Sequence, residues 1–293
     1  MKKSLYILIA LLLSAVMYGC SSSGAVENDA DNNKENKPTI TLAETNWTST
    51  LVPTEIVKNI LENMGYKVEG QQAELGAVYT GLSTGDVDIF MDSWAPQQNQ
   101  YMNEYSDTIE RISASYEDAR AGMVVPKYME DINDVGDLKG KEDMVNNEIL
   151  AISESDPAME DLQDIIDAYN LDVEMINSSE GAMLAAAKAK IEKKEPVLLY
   201  GWEPHSMFQL LDLKILTNNK VPEIYGDTSV HVVVNKGLKE KAPKAYKFLS
   251  NWSISIDDME DMITKIDNGQ NPEDVAQTWV ENHQDKIDKM KGD

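Results

Sequence analysis

The chain reads as an α/β protein of two lobes, and three observations predict it. From Pro38 onward, short β-prone runs alternate with segments of helical spacing. The strand-like runs fall into two groups, one before about Arg120 and one after about Gly122. The last part of the chain is mostly helix with one strand, Ser229 to Val234, too little for a third domain, so it returns to the first group. Lobe 1 is therefore expected to hold residues 38–121 plus 217–293, and lobe 2 residues 122–216, joined by two crossings.

The first nineteen residues read as an export signal. Lys2 and Lys3 precede an apolar stretch, Leu5 to Val16, that is too short for a membrane span. Gly19-Cys20 follows, and the pair resembles the lipobox of bacterial lipoproteins, in which the cysteine is lipidated and becomes the new N-terminus. Met17 and Tyr18 are not the usual Leu and small residue at that place, and an ordinary secretory signal with an incidental cysteine is the alternative. Residues 20–37 are polar and almost free of large apolar groups, as expected of a disordered tether. Cys20 is the only cysteine, so the core must hold without an intramolecular disulfide. The remaining stretch, roughly 255 residues, is long enough for two lobes of ordinary size. The formal charge is −25, and removal of Lys2 and Lys3 with the signal makes it more negative still, which excludes a nucleic-acid partner.

Taken in order, Thr39 to Ala43 is a strand leading to Trp47. Pro53 to Met64 carries Ile56, Val57, Ile60 and Leu61 at helical spacing and stops at Gly65. A short strand near Tyr66 to Glu69 and a helix from Leu75 to Ser83 come next. Val87, Ile89 and Met91 then alternate with Asp86, Asp88 and Asp92, which predicts a half-buried strand delivering Trp94, with Pro96 opening a further helix to Tyr105. In the second group, Gly122 to Pro126, Ile149 to Ile152, Val173 to Ile176 and Val197 to Tyr200 are strands, and the last of them ends at Gly201-Trp202. Helices fill the gaps, from Asp156-Pro157 to Asn170 and through the alanine-rich run after Ser179-Glu180. Leu213 to Leu216 and Ser229 to Val234 are further strands. Helices at 242–250, 256–266 and 272–287 end the chain.

Catalytic constellations are poor. The three histidines, His205, His231 and His283, are far apart, and no nucleophile or phosphate-loop motif is present. Asp86 and Asp88 suit a turn before a strand better than a metal site, so neither metal nor cofactor is expected. The tryptophans carry more information. Trp252 and Trp279 fall in or near tail helices and read as packing, whereas Trp47, Trp94 and Trp202 fall at strand ends, where α/β proteins bind ligands. A quaternary ammonium has methyl groups in place of N–H donors, so its favourable partner is the negative face of an aromatic ring. Sugar stacking is the rival use of tryptophan, and the rings alone do not separate the two.

Asn46-Trp47, the run Ile60 to Glu69, Gly85-Asp86-Val87-Asp88 with Trp94-Ala95-Pro96, and Val125 to Tyr128 occur in that order in the first half. Ser178 to Ala186, Lys194 to Val197 and Gly201-Trp202-Glu203-Pro204-His205 follow. In order and spacing these stretches resemble the glycine betaine/choline substrate-binding proteins of ABC importers, over Pro38 to about Ile287. The resemblance implies a two-lobed periplasmic-binding-protein fold, type II-like, that closes on its ligand by a hinge. It implies an aromatic box of Trp47, Trp94 and Trp202, the first two on one lobe and the third on the other, with Tyr116 or Met123 as a fourth wall. It also implies a permease and ATPase as partners, a membrane reached through the lipid anchor, and a monomeric receptor that is not an enzyme. A surface sensory module or a receptor for another small solute is the alternative reading.

Two departures from the family pattern bear on the ligand. Gln98 stands where betaine binders often carry a histidine. The turn after the second-lobe strand is acidic, Ser153-Glu154-Ser155-Asp156, where a glycine-rich turn is usual. Glu154 or Asp156 would accept a hydrogen bond from a hydroxyl and repel a carboxylate, while His205 would donate to a carboxylate or else support Trp202. Choline and glycine betaine both remain in play.

Overall fold

The computed structural model describes residues 37–226 and 228–292. The export signal, Cys20 and all but the last residue of the expected tether lie outside the described residues. Among those described, no helix is long and apolar enough to cross a membrane. In chain order the strands are β1 (Thr39–Glu44), β2 (Lys67–Gln72), β3 (Ile89–Ala95), β4 (Ile109–Tyr116), β5 (Ala121–Pro126), β6 (Glu148–Ala151), β7 (Glu174–Asn177), β8 (Leu199–Trp202), β9 (Leu213–Ile215) and β10 (Ser229–Asn235).

They build two five-stranded sheets, ordered β2-β1-β3-β10-β4 and β7-β6-β8-β5-β9. Each sheet has a parallel group of three, followed by strands that run antiparallel. The chain leaves the first sheet between β4 and β5 and returns between β9 and β10. The two passages touch: the Ala119 N–H donates to the Thr228 carbonyl at 3.1 Å. Beside them the Arg120 guanidinium pairs with Glu203 at 2.5 Å.

The elements follow from the apolar pattern. The helix Thr48–Asn63 buries Val52, Ile56, Val57, Ile60 and Leu61, a stripe at helical spacing that packs on the first sheet and against the tail helix Pro272–Asn282. The helix Leu75–Thr84 covers the opposite face with Leu75, Val78, Tyr79 and Leu82. It ends at Gly85, whose φ of +83° is left-handed and whose N–H returns to the Gly81 and Leu82 carbonyls, so the chain turns directly into β3. With helices on both faces, Ile89 and Met91 enter one apolar cluster and Phe90 the other. β3 is thus buried through Trp94, not half-buried as its alternation suggested.

Other expectations also shift. The first helix starts at Thr48, five residues before Pro53, because Ser49 and Thr50 have buried acceptors for their hydroxyls. Pro96 does not open a helix: the Ala95–Pro96 peptide is cis and the helix runs Asn99–Glu104. β4 escapes pattern reading altogether. As an edge strand paired only with β10, through a register that shifts twice, it keeps most of its residues half-exposed and shows no clean alternation. The last tail helix is two, Pro272–Asn282 and Gln284–Lys291, separated at His283.

Asp88, read as a turn residue, is buried and ties strands to tail. Its carboxylate accepts from the Thr41 N–H at 2.8 Å and pairs with Lys241 at 2.7 Å. Removing the ammonium would leave a buried charge with one hydrogen bond. Lys241→Met should therefore cost about 1–3 kcal/mol of stability in denaturant titration, whereas Lys67→Met, which loses only an exposed pair with Glu69, should stay within about 0.5 kcal/mol.

Candidate functional site

The carboxyl ends of β3 and β8 face one cavity of roughly 390 Å³, counting its opening to solvent. Trp47, Ser49, Trp94, Gln97 and Gln98 line it from the first sheet, and Ile152, Asp156, Ala158, Tyr200 and Trp202 from the second. The three tryptophans singled out in the sequence thus share one space. Trp47 sits three residues beyond β1 as the N-cap of the helix Thr48–Asn63, half-buried, with its carbonyl accepting from the Thr50 and Leu51 N–H groups. Trp94 is the penultimate residue of β3 and Trp202 the last of β8, both buried. Ahead of Trp202, a Cβ on Gly201 would lie 2.7 Å from Val124, so glycine alone lets β8 press this closely on β5.

Asp92, which pattern reading passed over as the polar phase of a strand, organises the first-sheet side. It is fully buried. One oxygen accepts from the Trp94 indole N–H at 2.9 Å, and the other from the Ser49 and Thr50 hydroxyls at 2.9 and 2.7 Å. Burial pushes its carboxyl up from the usual range, and the hydrogen bonds from Thr50, Ser49 and Trp94 work against that rise. The same carboxylate therefore fixes the plane of one tryptophan and anchors the helical turn that begins at another. Tyr200 is the fourth aromatic on the cavity. Its ring tilts against Trp202 at 5.7 Å and against Tyr225 at 5.8 Å. Both missed residues obey one rule, since each lies two positions before a cavity tryptophan, on the same strand face.

The other expected residues separate. Tyr116 and Met123, the fourth walls expected from sequence, are buried but do not line the cavity. The Tyr116 hydroxyl is buried without a hydrogen-bond partner among the described residues. His205 is also off the cavity. Its Nδ1 accepts from the Met207 N–H at 3.0 Å and its Nε2 meets Glu180 at 3.0 Å, so neither nitrogen is left for a ligand. Its ring instead stands edge-on to Trp202 at 4.9 Å and holds that indole in place. Gln98 is buried at the cavity, and its carbonyl accepts from the Tyr79 hydroxyl at 2.8 Å. Glu154 is exposed and lines an outer cleft that continues from the cavity, and Asp156 lines both spaces.

No Lys, Arg or His lies among the residues that line the cavity, and Asp156 is its one ionisable carboxyl. Burial pushes that carboxyl up to about 6, with Asp92 and Asp161 adding to the rise and the Ala158 N–H opposing it. Four aromatic rings, an acid and amide groups make a site for a cation that needs no hydrogen-bond acceptor at its head.

The comparisons agree with this geometry. Residues 38–282 match the family described as the substrate binding domain of ABC-type glycine betaine transport systems. The glycine betaine/carnitine transport binding protein of Listeria monocytogenes is 34% identical over 151 residues, a match that spans about half of this chain and half of that protein. Two solved structures superpose over most of the chain. Lactococcal OpuAC, closed on glycine betaine, has a TM-score of 0.81 at 27% identity, covering 87% of this chain and 99% of that one. The glycine betaine/L-proline-binding protein of Borrelia burgdorferi has 0.80 at 27%, covering 87% and 98%.

The bonding of Asp92 has a measurable consequence. Asp92→Ala leaves three donors unsatisfied and frees the Trp94 indole, so unfolding stability should fall by about 1–3 kcal/mol. The near-ultraviolet circular dichroism of the tryptophans should weaken as well. Thr50→Val removes one of the three bonds and should show a smaller loss of the same kind.

Proposed function

Because the chain belongs to the family of substrate-binding domains of ABC-type glycine betaine transport systems, we propose that it captures a quaternary ammonium compound, choline or glycine betaine, outside the cytoplasm and delivers it to an ABC permease. The observation that carries the reading is the convergence of Trp47, Trp94, Trp202 and Tyr200 on one cavity whose lining contains no cation. Each ring contributes on the order of 0.5–2 kcal/mol to a desolvated cationic head. A primary ammonium would have to give up strong hydration for faces that cannot accept its hydrogen bonds, whereas a trimethylammonium gives up little.

Delivery follows from the division of the site. With Trp47 and Trp94 on one lobe (residues 38–121 and 217–293) and Tyr200 and Trp202 on the other (residues 122–216), bound ligand favours the arrangement in which both lobes touch it. The permease, powered by its ATPase, reads that arrangement. Binding without turnover, a monomeric receptor and attachment to the membrane through lipidated Cys20 complete the proposal. For the anchor, Cys20→Ala should abolish incorporation of labelled palmitate and release the protein from the membrane fraction.

Intrinsic tryptophan fluorescence tests the cage. Titration with choline, glycine betaine, carnitine and proline betaine should give saturable changes for at least one of them, with none for sugars or ordinary amino acids. A response confined to sugars or amino acids refutes the reading. Trp94→Ala should weaken the best ligand by about 1–3 kcal/mol, roughly 5- to 150-fold, and an unchanged affinity would assign Trp94 to the core.

A further inference from the structure

The cavity and the outer cleft meet at Asp156, which lines both. The residue is 9% exposed. One carboxyl oxygen accepts from the Ala158 N–H at 2.8 Å at the start of the helix Ala158–Tyr169, and the other accepts no hydrogen bond from the described residues. The ionisable groups around it are all acids or phenols. Asp92 on β3, Asp161 on the helix Ala158–Tyr169, Tyr101 on the helix Asn99–Glu104, and Tyr200 and Tyr225 all lie close enough to exchange charge effects with it. Glu154 shares its turn, and Glu74 and Glu180 line the cleft beyond. No Lys, Arg or His lines either space.

The cavity and the cleft share Trp47, Ile152 and Asp156, so a ligand whose head lies among the aromatic rings and whose tail extends toward the cleft passes this carboxyl. We propose that Asp156 reads the tail: ionised, it accepts a hydrogen bond from an alcohol and repels a carboxylate, and protonated, it donates its own hydrogen to a carboxylate. The inference rests on the quaternary-amine reading of the site and adds a selection rule to it. Its balance is simple. Above about pH 6 a carboxylate ligand binds together with a proton taken up by Asp156 and an alcohol ligand with none, whereas below it a carboxylate ligand takes up none and an alcohol ligand displaces the proton already there. Since the carboxyl sits at about 6 in the empty protein, the exchange of preference falls within ordinary conditions. Betaine affinity should rise as pH falls through that value, by up to tenfold per unit. Choline affinity should fall over the same interval.

Calorimetric titration of the full chain with choline and with glycine betaine, at about pH 5 and about pH 7.5, tests the rule. In the wild type the ratio of the two dissociation constants should change at least tenfold between the two conditions, with the buffer dependence of the heat showing proton uptake for betaine at about pH 7.5 and proton release for choline at about pH 5. Asp156→Asn keeps an oxygen for the Ala158 N–H, and in it the ratio should become independent of pH, with betaine tightened at pH 7.5. Glu154→Gln, altered on the same turn but at an exposed side chain, should retain the wild-type pH dependence. A pH-independent ratio in the wild type overturns the proposal while leaving the cage intact, as does a pH dependence lost in Glu154→Gln but kept in Asp156→Asn. Binding of neither amine at either pH overturns the cage reading, and this rule with it.

Discussion

The buried Asp92 carboxylate is the constraint on which the site depends. A carboxylate without solvent is costly, and this one survives because three donors converge on it from two elements. The convergence works in both directions. The hydroxyls of Ser49 and Thr50 extend a helix back toward Trp47, and the indole of Trp94 is held in one plane at the end of β3. Without the acid, two aromatic walls would rest on a loop and a free rotamer. With it, the first-sheet half of the cavity is organised before any ligand arrives, which is what preorganised recognition requires.

On the second-sheet half the same end is reached by packing rather than charge. Gly201 lets β8 approach β5, Tyr200 and Trp202 tilt against one another, and His205 braces the indole edge-on. The histidine is committed because its two nitrogens have opposite partners, a backbone N–H and a carboxylate, which fix its tautomer. The chain as a whole is strongly acidic, and the lining of its cavity likewise contains no cation. Such a lining presents ring faces and one carboxyl, Asp156, and no basic side chain.

Much of the α/β architecture and the meeting of three tryptophans at one cavity was legible in the sequence, and what was not legible shares a cause. Strand and helix periodicity located most elements, and strand-end position picked out three of the residues that line the cavity, because both signals are local. β4 was not legible, since an edge strand half-exposed to solvent need not alternate. Asp92 was invisible because its partner Thr50 lies 42 positions away and belongs to a turn that the sequence left outside the helix. The two roles open to His205 could not be separated for a similar reason: the glutamate that occupies its Nε2 is 25 residues distant. Tyr116 and Met123 were the expected fourth walls, and Tyr200, which shares a strand face with Trp202, is the aromatic that lines the cavity. Position relative to a known wall would have been the better guide.

Glu180 is also one place where the two halves meet directly, as they do again where Ser206 and Thr264 donate to Asp267 and Gln209. One of its oxygens takes the His205 N–H from within the second sheet's half and the Thr48 hydroxyl from the first helix, at 3.3 Å. A bond that spans the cleft and ignores the cargo favours the shut shape even when nothing is inside. A receptor of this kind gains apparent affinity, because the binding-competent arrangement is already partly populated. It gives up contrast in return, since an empty protein visits the shape by which a loaded one is recognised. Bonds that bridge the two halves without the cargo thus bear on how faithfully closure reports occupancy.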